Sequence, residues 1–133
     1  MIIDSSVWIN YLTGKSTIET EFLDNSLSAG VAQHICPPVY QEVLQGIWEE
    51  IDYKETKEAL LYMDFLQLDP YFAADNAASI YRSLRKKGIT IQKPNDCIIA
   101  FYAIHFKTEL VHNDSDFDKI AKHTALKVYR KKK

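Results

Sequence analysis

Short apolar runs alternate with longer amphipathic stretches along this chain, and that alternation constrains the fold more than any other feature. MIID opens as a strand, and SSVWINYL follows as a helix broken by Thr13 and Gly14. STIETEFLDNSL reads as a second helix, with Ser16 as N-cap and Glu19 three residues on, a capping box. Gly30 is its stop signal, and VAQHIC is the next strand. Pro37 and Pro38 suit the start of a helix that VYQEVLQGIW continues. Tyr53 to Met63 form another amphipathic helix, and FLQLD is a strand closed by Pro70. YFAADNAASIYRSLRKK is a long helix with Gly88 just past its end, and ITI reads as extended. Beyond Pro94 and Asn95, DCIIAFYAIHF is apolar on most faces, as a central helix would be. ELVH, DSDFDKIAK and ALKVY then read as a strand, a short helix and a last strand. Strands separated by helices call for a parallel sheet covered on both faces. The expected fold is therefore α/β, a three-layer α/β/α sandwich around four or five parallel strands, in an order the pattern does not give.

A chain of 133 residues is expected to form one domain, 1–133, with a sizeable core. Its 47% hydrophobic and 26% charged content is that of a globular protein. No apolar run approaches the roughly 20 residues of a membrane span, and Asp4 interrupts the N-terminus where a signal peptide would run. Cys36 and Cys97 make no disulfide framework, so reduced, buried thiols in a cytoplasmic protein are expected. The net charge of −2 does not advertise nucleic-acid binding. Locally, however, YRSLRKKG carries Arg82, Arg85, Lys86 and Lys87, and the chain ends KVYRKKK. These runs fit a solvated helix face and a frayed tail at about 130–133 as well as they fit phosphate contact.

In a parallel α/β sheet the strand C-termini and the following helix N-termini share one edge, where ligands bind. Asp4 ends the first strand, Glu42 lies early in the helix after VAQHIC, Asp96 starts the helix after KPN, and Asp114 follows ELVH. Each has a structural explanation alone: Asp4 as a cap, Glu42 as a solvated flank of the Val39–Val43–Ile47 stripe, Asp96 as a dipole partner, Asp114 as an Asx-turn. Together they repel. At an effective dielectric of about 20, two unit charges roughly 4–5 Å apart cost about 3–4 kcal/mol. A hard divalent cation among them resolves that conflict, and oxygen-only ligands favour Mg²⁺ or Mn²⁺. The two cysteines have no CxxC spacing and the four histidines no HExxH spacing, so zinc is not indicated.

The ordered set IID-SS, then Q-E-V within a helix, then NDCIIAFYA, then LVHNDSDF resembles the PIN-domain family, and within it the VapC-type toxins of toxin–antitoxin pairs. The resemblance spans nearly the whole chain and is most specific at Asp96 and Asp114. It implies an acidic quartet of Asp4, Glu42, Asp96 and Asp114, with Asp4, Asp96 and Asp114 as ligands of one or two Mg²⁺ or Mn²⁺ ions. Glu42 would then bind through water or orient the nucleophile. Asp116 matches a further acid of many members, and Ser6 falls where a hydroxyl commonly supports the first Asp. His112 stands where many members have Thr, which favours a core or supporting role. The implied activity is metal-dependent endoribonuclease cleavage of transfer or ribosomal RNA by water, leaving a 5′-phosphate and a 3′-hydroxyl. The implied partners are the RNA, a second copy of the chain, and an antitoxin that inserts a basic residue at the acids. Arg82, Arg85, Lys86 and Lys87 would steer the RNA.

Three rival readings account for less of the pattern. A haloacid-dehalogenase-like phosphatase also carries an Asp after its first strand, but wants a second Asp two residues later, where Ser6 stands. A PIN-like module that binds RNA or a partner without cutting conflicts with the intact quartet. A receiver-like structural protein accounts for less of the acid pattern.

Overall fold

The computed structural model describes residues 1–130; the last three lysines of the basic tail, 131–133, lie outside the described residues. Four strands form one parallel sheet: β1 (Ile2–Ile3), β2 (His34–Ile35), β3 (Asp64–Phe65) and β4 (Leu110–Val111), in the order β3-β2-β1-β4. The register pairs Ile2 with both His34 and Leu110, and Ile35 with Phe65. Successive strand residues point to opposite faces. Ile2 and Ile3 are both fully buried, as are Leu110 and Val111, so both faces of the sheet centre are covered. That requirement explains the β-branched and apolar character of these runs.

Seven helices supply the cover: α1 (Ser5–Leu12), α2 (Ile18–Ser28), α3 (Pro37–Gln45), α4 (Glu50–Leu60), α5 (Pro70–Lys86), α6 (Asn95–His105) and α7 (Asp116–His123). Helix α1 packs against α2 and α3, α3 also packs against α4, and α6 contacts α5, α7 and α3. As its apolar sequence requires, α6 buries Cys97, Ile99, Ala100, Phe101, Tyr102 and Ala103. Val7, Trp8, Leu23, Val39, Val43, Phe117 and Ile120 complete the core. No helix among the described residues is long and apolar enough to cross a membrane.

Several local expectations shift. The capping box of α2 is one residue later than Ser16 and Glu19: Thr17 Oγ1 accepts from Thr20 N–H at 3.0 Å, and Thr17 N–H donates to Thr20 Oγ1 at 2.7 Å. The offset frees Glu19 for a tertiary bond. The N-cap of α1 is Asp4, as its cap reading allows. Helix α3 stops at Gly46 rather than running through Trp48, which is exposed. The segment ITI is unpaired loop, with Ile91 buried as a plug. Of ALKVY, only Val128 reaches the sheet, as an isolated parallel bridge to Leu110. Lys127 C=O and Tyr129 N–H complete that contact with Leu110 at 2.9 Å each.

Candidate active site

The carboxyl edge of the sheet gathers the acids because each follows a strand or opens a helix there. Asp4 leaves β1 with its N–H donating to Val111 C=O at 2.9 Å, the last rung of the ladder. Its side chain is only 3% exposed. Oδ2 accepts from Ser6 N–H at 3.0 Å and from Ser6 Oγ–H at 2.6 Å, so one oxygen caps α1. The other, Oδ1, is buried with no partner. Burial pushes the Asp4 carboxyl above its ordinary range, the Ser6 bonds oppose this, and Asp114 adds to it.

Asp96 repeats the pattern from the first turn of α6. It is 3% exposed, and its Oδ2 is also buried without a partner. Burial first, then the charges of Asp4 and Asp114, push its carboxyl up to about 8. Buried polar atoms are normally satisfied. Two such oxygens, aimed among other carboxylates, are what an oxygen-ligated cation would complete. Carboxylate oxygens of Asp96, Asp114 and Asp116 lie within 4.8 Å of one another. Asp116 therefore joins Asp96 and Asp114 more closely than a supporting place implies. Asp4 lies beside this cluster, second only to burial in raising Asp96.

The five carboxylates are not equivalent. Asp116 is held by Gln92 N–H on Oδ2 at 3.2 Å and Lys119 Nζ on Oδ1 at 3.1 Å. Asp114 accepts Asp116 N–H on Oδ1 at 3.0 Å and faces Lys93 Nζ at 3.4 Å on Oδ2. Glu42 is half-buried on α3, with Ser5 Oγ donating to its Oε1 at 3.2 Å. Burial raises Glu42 above its ordinary range, and Asp4 adds to this. An all-oxygen donor set fits Mg²⁺ or Mn²⁺.

The loop after β4 is fixed atom by atom. Ser6 Oγ, while donating to Asp4, accepts Asn113 N–H at 2.9 Å. His112 Nδ1 accepts Asp114 N–H at 3.1 Å, which leaves the ring proton on Nε2. Nε2 lies 3.3 Å from Asp118 Oδ1 without hydrogen-bond alignment. The buried histidine thus supports the loop through its backbone. The Asn113 carboxamide donates to Glu19 Oε1 at 2.6 Å and accepts from Asn10 Nδ2 at 2.9 Å and Thr17 Oγ1 at 3.1 Å. One side chain ties α1, α2 and the acid-bearing loop together.

Comparison with known proteins decides the family. The model of the PIN domain matches residues 1–123. The chain belongs to the PIN-domain family. Ribonuclease VapC11 of Mycobacterium tuberculosis is 32% identical over 127 residues, 95% of each chain, which places this PIN domain in the VapC branch. The structure of VapBC2 from Rickettsia felis, bound to a DNA fragment from their promoter, matches with a TM-score of 0.71 at 16% identity over 96% of each chain. A toxin-antitoxin complex from Klebsiella pneumoniae matches with a TM-score of 0.64 at 18% identity over 86% of each chain. At these identities the likeness is one of fold.

Reading the PIN-domain sequence misses Lys93, Ser5, Asn113 and the Gln92 N–H. Lys93 had a signal, a cation three residues before Asp96; the others depend on tertiary proximity. Arg82, Lys86 and Lys87 line a separate surface hollow with Asp75, Ser79 and Ser83 along α5. Arg85 lies over the Tyr81 ring, 5.6 Å from its centroid. Cys36 and Cys97 are free and buried, and burial pushes their thiols up to about 12 and about 11, which makes them packing groups.

Proposed function

We propose that this PIN domain is a metal-dependent endoribonuclease, the toxin of a VapC-type toxin–antitoxin pair. The observation that carries the reading is the pair of partnerless buried oxygens, Asp4 Oδ1 and Asp96 Oδ2, beside the Asp114 carboxylate. VapC relatives named as ribonucleases at 32% identity support it. Asp4, Asp96 and Asp114 would hold one or two Mg²⁺ or Mn²⁺ ions, with Asp116 completing or bracing the set. A divalent cation bound there supplies a water nucleophile at neutral pH and charge stabilisation at the phosphate.

The chain's own groups do the rest. Ser6 fixes one oxygen of Asp4 and leaves the other, buried and without a partner, for a cation. Ser5 fixes one oxygen of Glu42, leaving the second to orient the attacking water and take its proton; the raised Glu42 carboxyl suits a general base better than an ordinary one. Asp96 would hold the cation as a carboxylate; without one, burial and the charges of Asp4 and Asp114 push its carboxyl up to about 8. Arg82, Arg85 and Lys86 on α5, with Lys87 just past its end, would offer a phosphate-steering surface for transfer or ribosomal RNA. The antitoxin, in this reading, places an arginine or lysine near Asp4 and Asp96, since a guanidinium pairs bidentately with carboxylate. A homodimer in the cytoplasm is the expected working form.

The test is cleavage of structured RNA by the purified protein. Mg²⁺ or Mn²⁺ should support it, chelator should abolish it, and the products should carry 5′-phosphates. Cleavage that persists in chelator and leaves 2′,3′-cyclic ends would overturn the metal-dependent reading.

A further inference from the structure

Among the described residues, Lys93 brings a cation to the acidic cluster from outside α7, at Asp114. It sits in the segment between α5 and α6, and its C=O accepts Asp96 N–H at 2.9 Å. The turn that begins α6 thereby fixes Lys93 and Asp96 together. From there its Nζ reaches 3.4 Å from Asp114 Oδ2. Burial works to lower its ammonium, but Asp114, Asp96 and Asp4 together raise it above its ordinary value. Asp96 and Glu42 are in turn relieved by its charge.

Two features make this pairing loose. The 3.4 Å separation is longer than the roughly 2.7–2.9 Å of a strong charge-assisted hydrogen bond. The Lys93 side chain is 65% exposed on a flexible stem. Lys119 differs in origin: it meets Asp116 at 3.1 Å from the same helix, α7. Lys93 comes from another segment and touches an acid that the metal reading makes a ligand. An ammonium and a divalent cation cannot both sit against Asp114 Oδ2 without repelling each other.

We propose that Lys93 is a displaceable counterion of the acidic centre. It partly neutralises the empty site, competes with the divalent cation for Asp114, and on displacement turns its ammonium to a backbone phosphate of the RNA. The inference rests on the metal-site reading above. It assigns to Lys93 two opposed effects: it weakens metal binding and strengthens substrate binding. A lysine serving only to hold the turn has neither.

The experiment is titration of Mn²⁺ into wild type, Lys93→Gln, Lys93→Arg and a Lys54→Gln control, followed by calorimetry. Lys54 is exposed on α4, so its loss removes the same charge elsewhere. Lys93→Gln should bind Mn²⁺ about two- to fivefold more tightly than wild type, the range expected for losing one exposed ion pair. Lys93→Arg and Lys54→Gln should stay near wild type. At saturating Mg²⁺, Lys93→Gln should raise KM for RNA with little change in kcat. Its log–log salt dependence of kcat/KM should flatten by about 0.7, one phosphate contact on a single strand. Wild type that binds Mn²⁺ while Lys93→Gln binds it no more tightly would overturn the counterion and leave the acidic centre standing. An unchanged KM and salt slope would overturn the phosphate contact. Wild type that binds no divalent ion would overturn the acidic-centre reading itself.

Discussion

At the scale of single residues, Asp4 and Glu42 each commit one carboxylate oxygen to a neighbouring serine. Asp4 gives Oδ2 to Ser6 and keeps Oδ1 free, so capping a helix and holding a cation are compatible duties of one side chain. The titration of Asp96 has a calculable sign. Its folded value of about 8 stands above the ordinary 3.8, so the folded protein holds this proton more tightly than the unfolded chain. Metal-free stability from this group is therefore full below about pH 4 and lost as pH rises toward about 8. Melting curves in chelator should show wild type losing stability across that window while Asp96→Asn is flatter. Near pH 8 in chelator, Asp96→Asn should melt at or above wild type. Ligand at about 100 times its dissociation constant adds roughly 2.7 kcal/mol, so Mg²⁺ should restore the lead of wild type. Ser6→Ala removes two bonds to Asp4 and Asn113 together; it should cost about 1–2 kcal/mol in urea unfolding and lower cleavage. The acids were legible in the sequence because each sits at a strand end or helix start, which pattern alone locates. Lys93 was not, because a lysine in a turn has no periodicity to reveal which way it reaches.

Among the elements, the loop between β4 and α7 decides whether the site is assembled. It receives Ser6 from α1, Glu19 and Thr17 from the start of α2, and His112 from the end of β4. Asn113→Ala should cost about 1–3 kcal/mol, because Glu19 loses its donor and Asn10 its acceptor inside a part-buried network. Cleavage should fall further than an equally destabilising core change such as Ile120→Val would make it. Equal losses would mean that Asn113 serves stability alone. The helix order and the parallel sheet were readable from alternation and caps. The one-residue offset of the α2 cap was not, because Ser16–Glu19 and Thr17–Thr20 both satisfy the local pattern. The choice is made by Asn113, some 94 residues from Glu19, which draws that carboxylate away from the cap. Likewise ALKVY has strand composition, but only Val128 finds a partner beside Leu110.

At the scale of the whole molecule, a parallel sheet buried on both faces leaves its edges to polar groups, and Asp4, Asp96 and Asp114 gather at the carboxyl edge. The sheet order, β3-β2-β1-β4, puts β1 and β4 side by side, which is why residues as distant as Asp4 and Asp114 share a field. Expression of the chain alone should arrest bacterial growth, and a small protein from a neighbouring reading frame should relieve the arrest. In a complex with that protein, an arginine or lysine should lie against Asp4 and Asp96. Rescue by a partner bound far from all the acids would contradict that mode of inhibition. The most direct measurement of the central claim, a divalent-cation site at this edge, is anomalous diffraction from crystals soaked in Mn²⁺. The account predicts a manganese peak bounded by Asp4 Oδ1, Asp96 Oδ2 and Asp114, lost in crystals of Asp96→Asn. A well-diffracting wild-type crystal with no manganese at these oxygens, or with manganese bound only elsewhere, would contradict it.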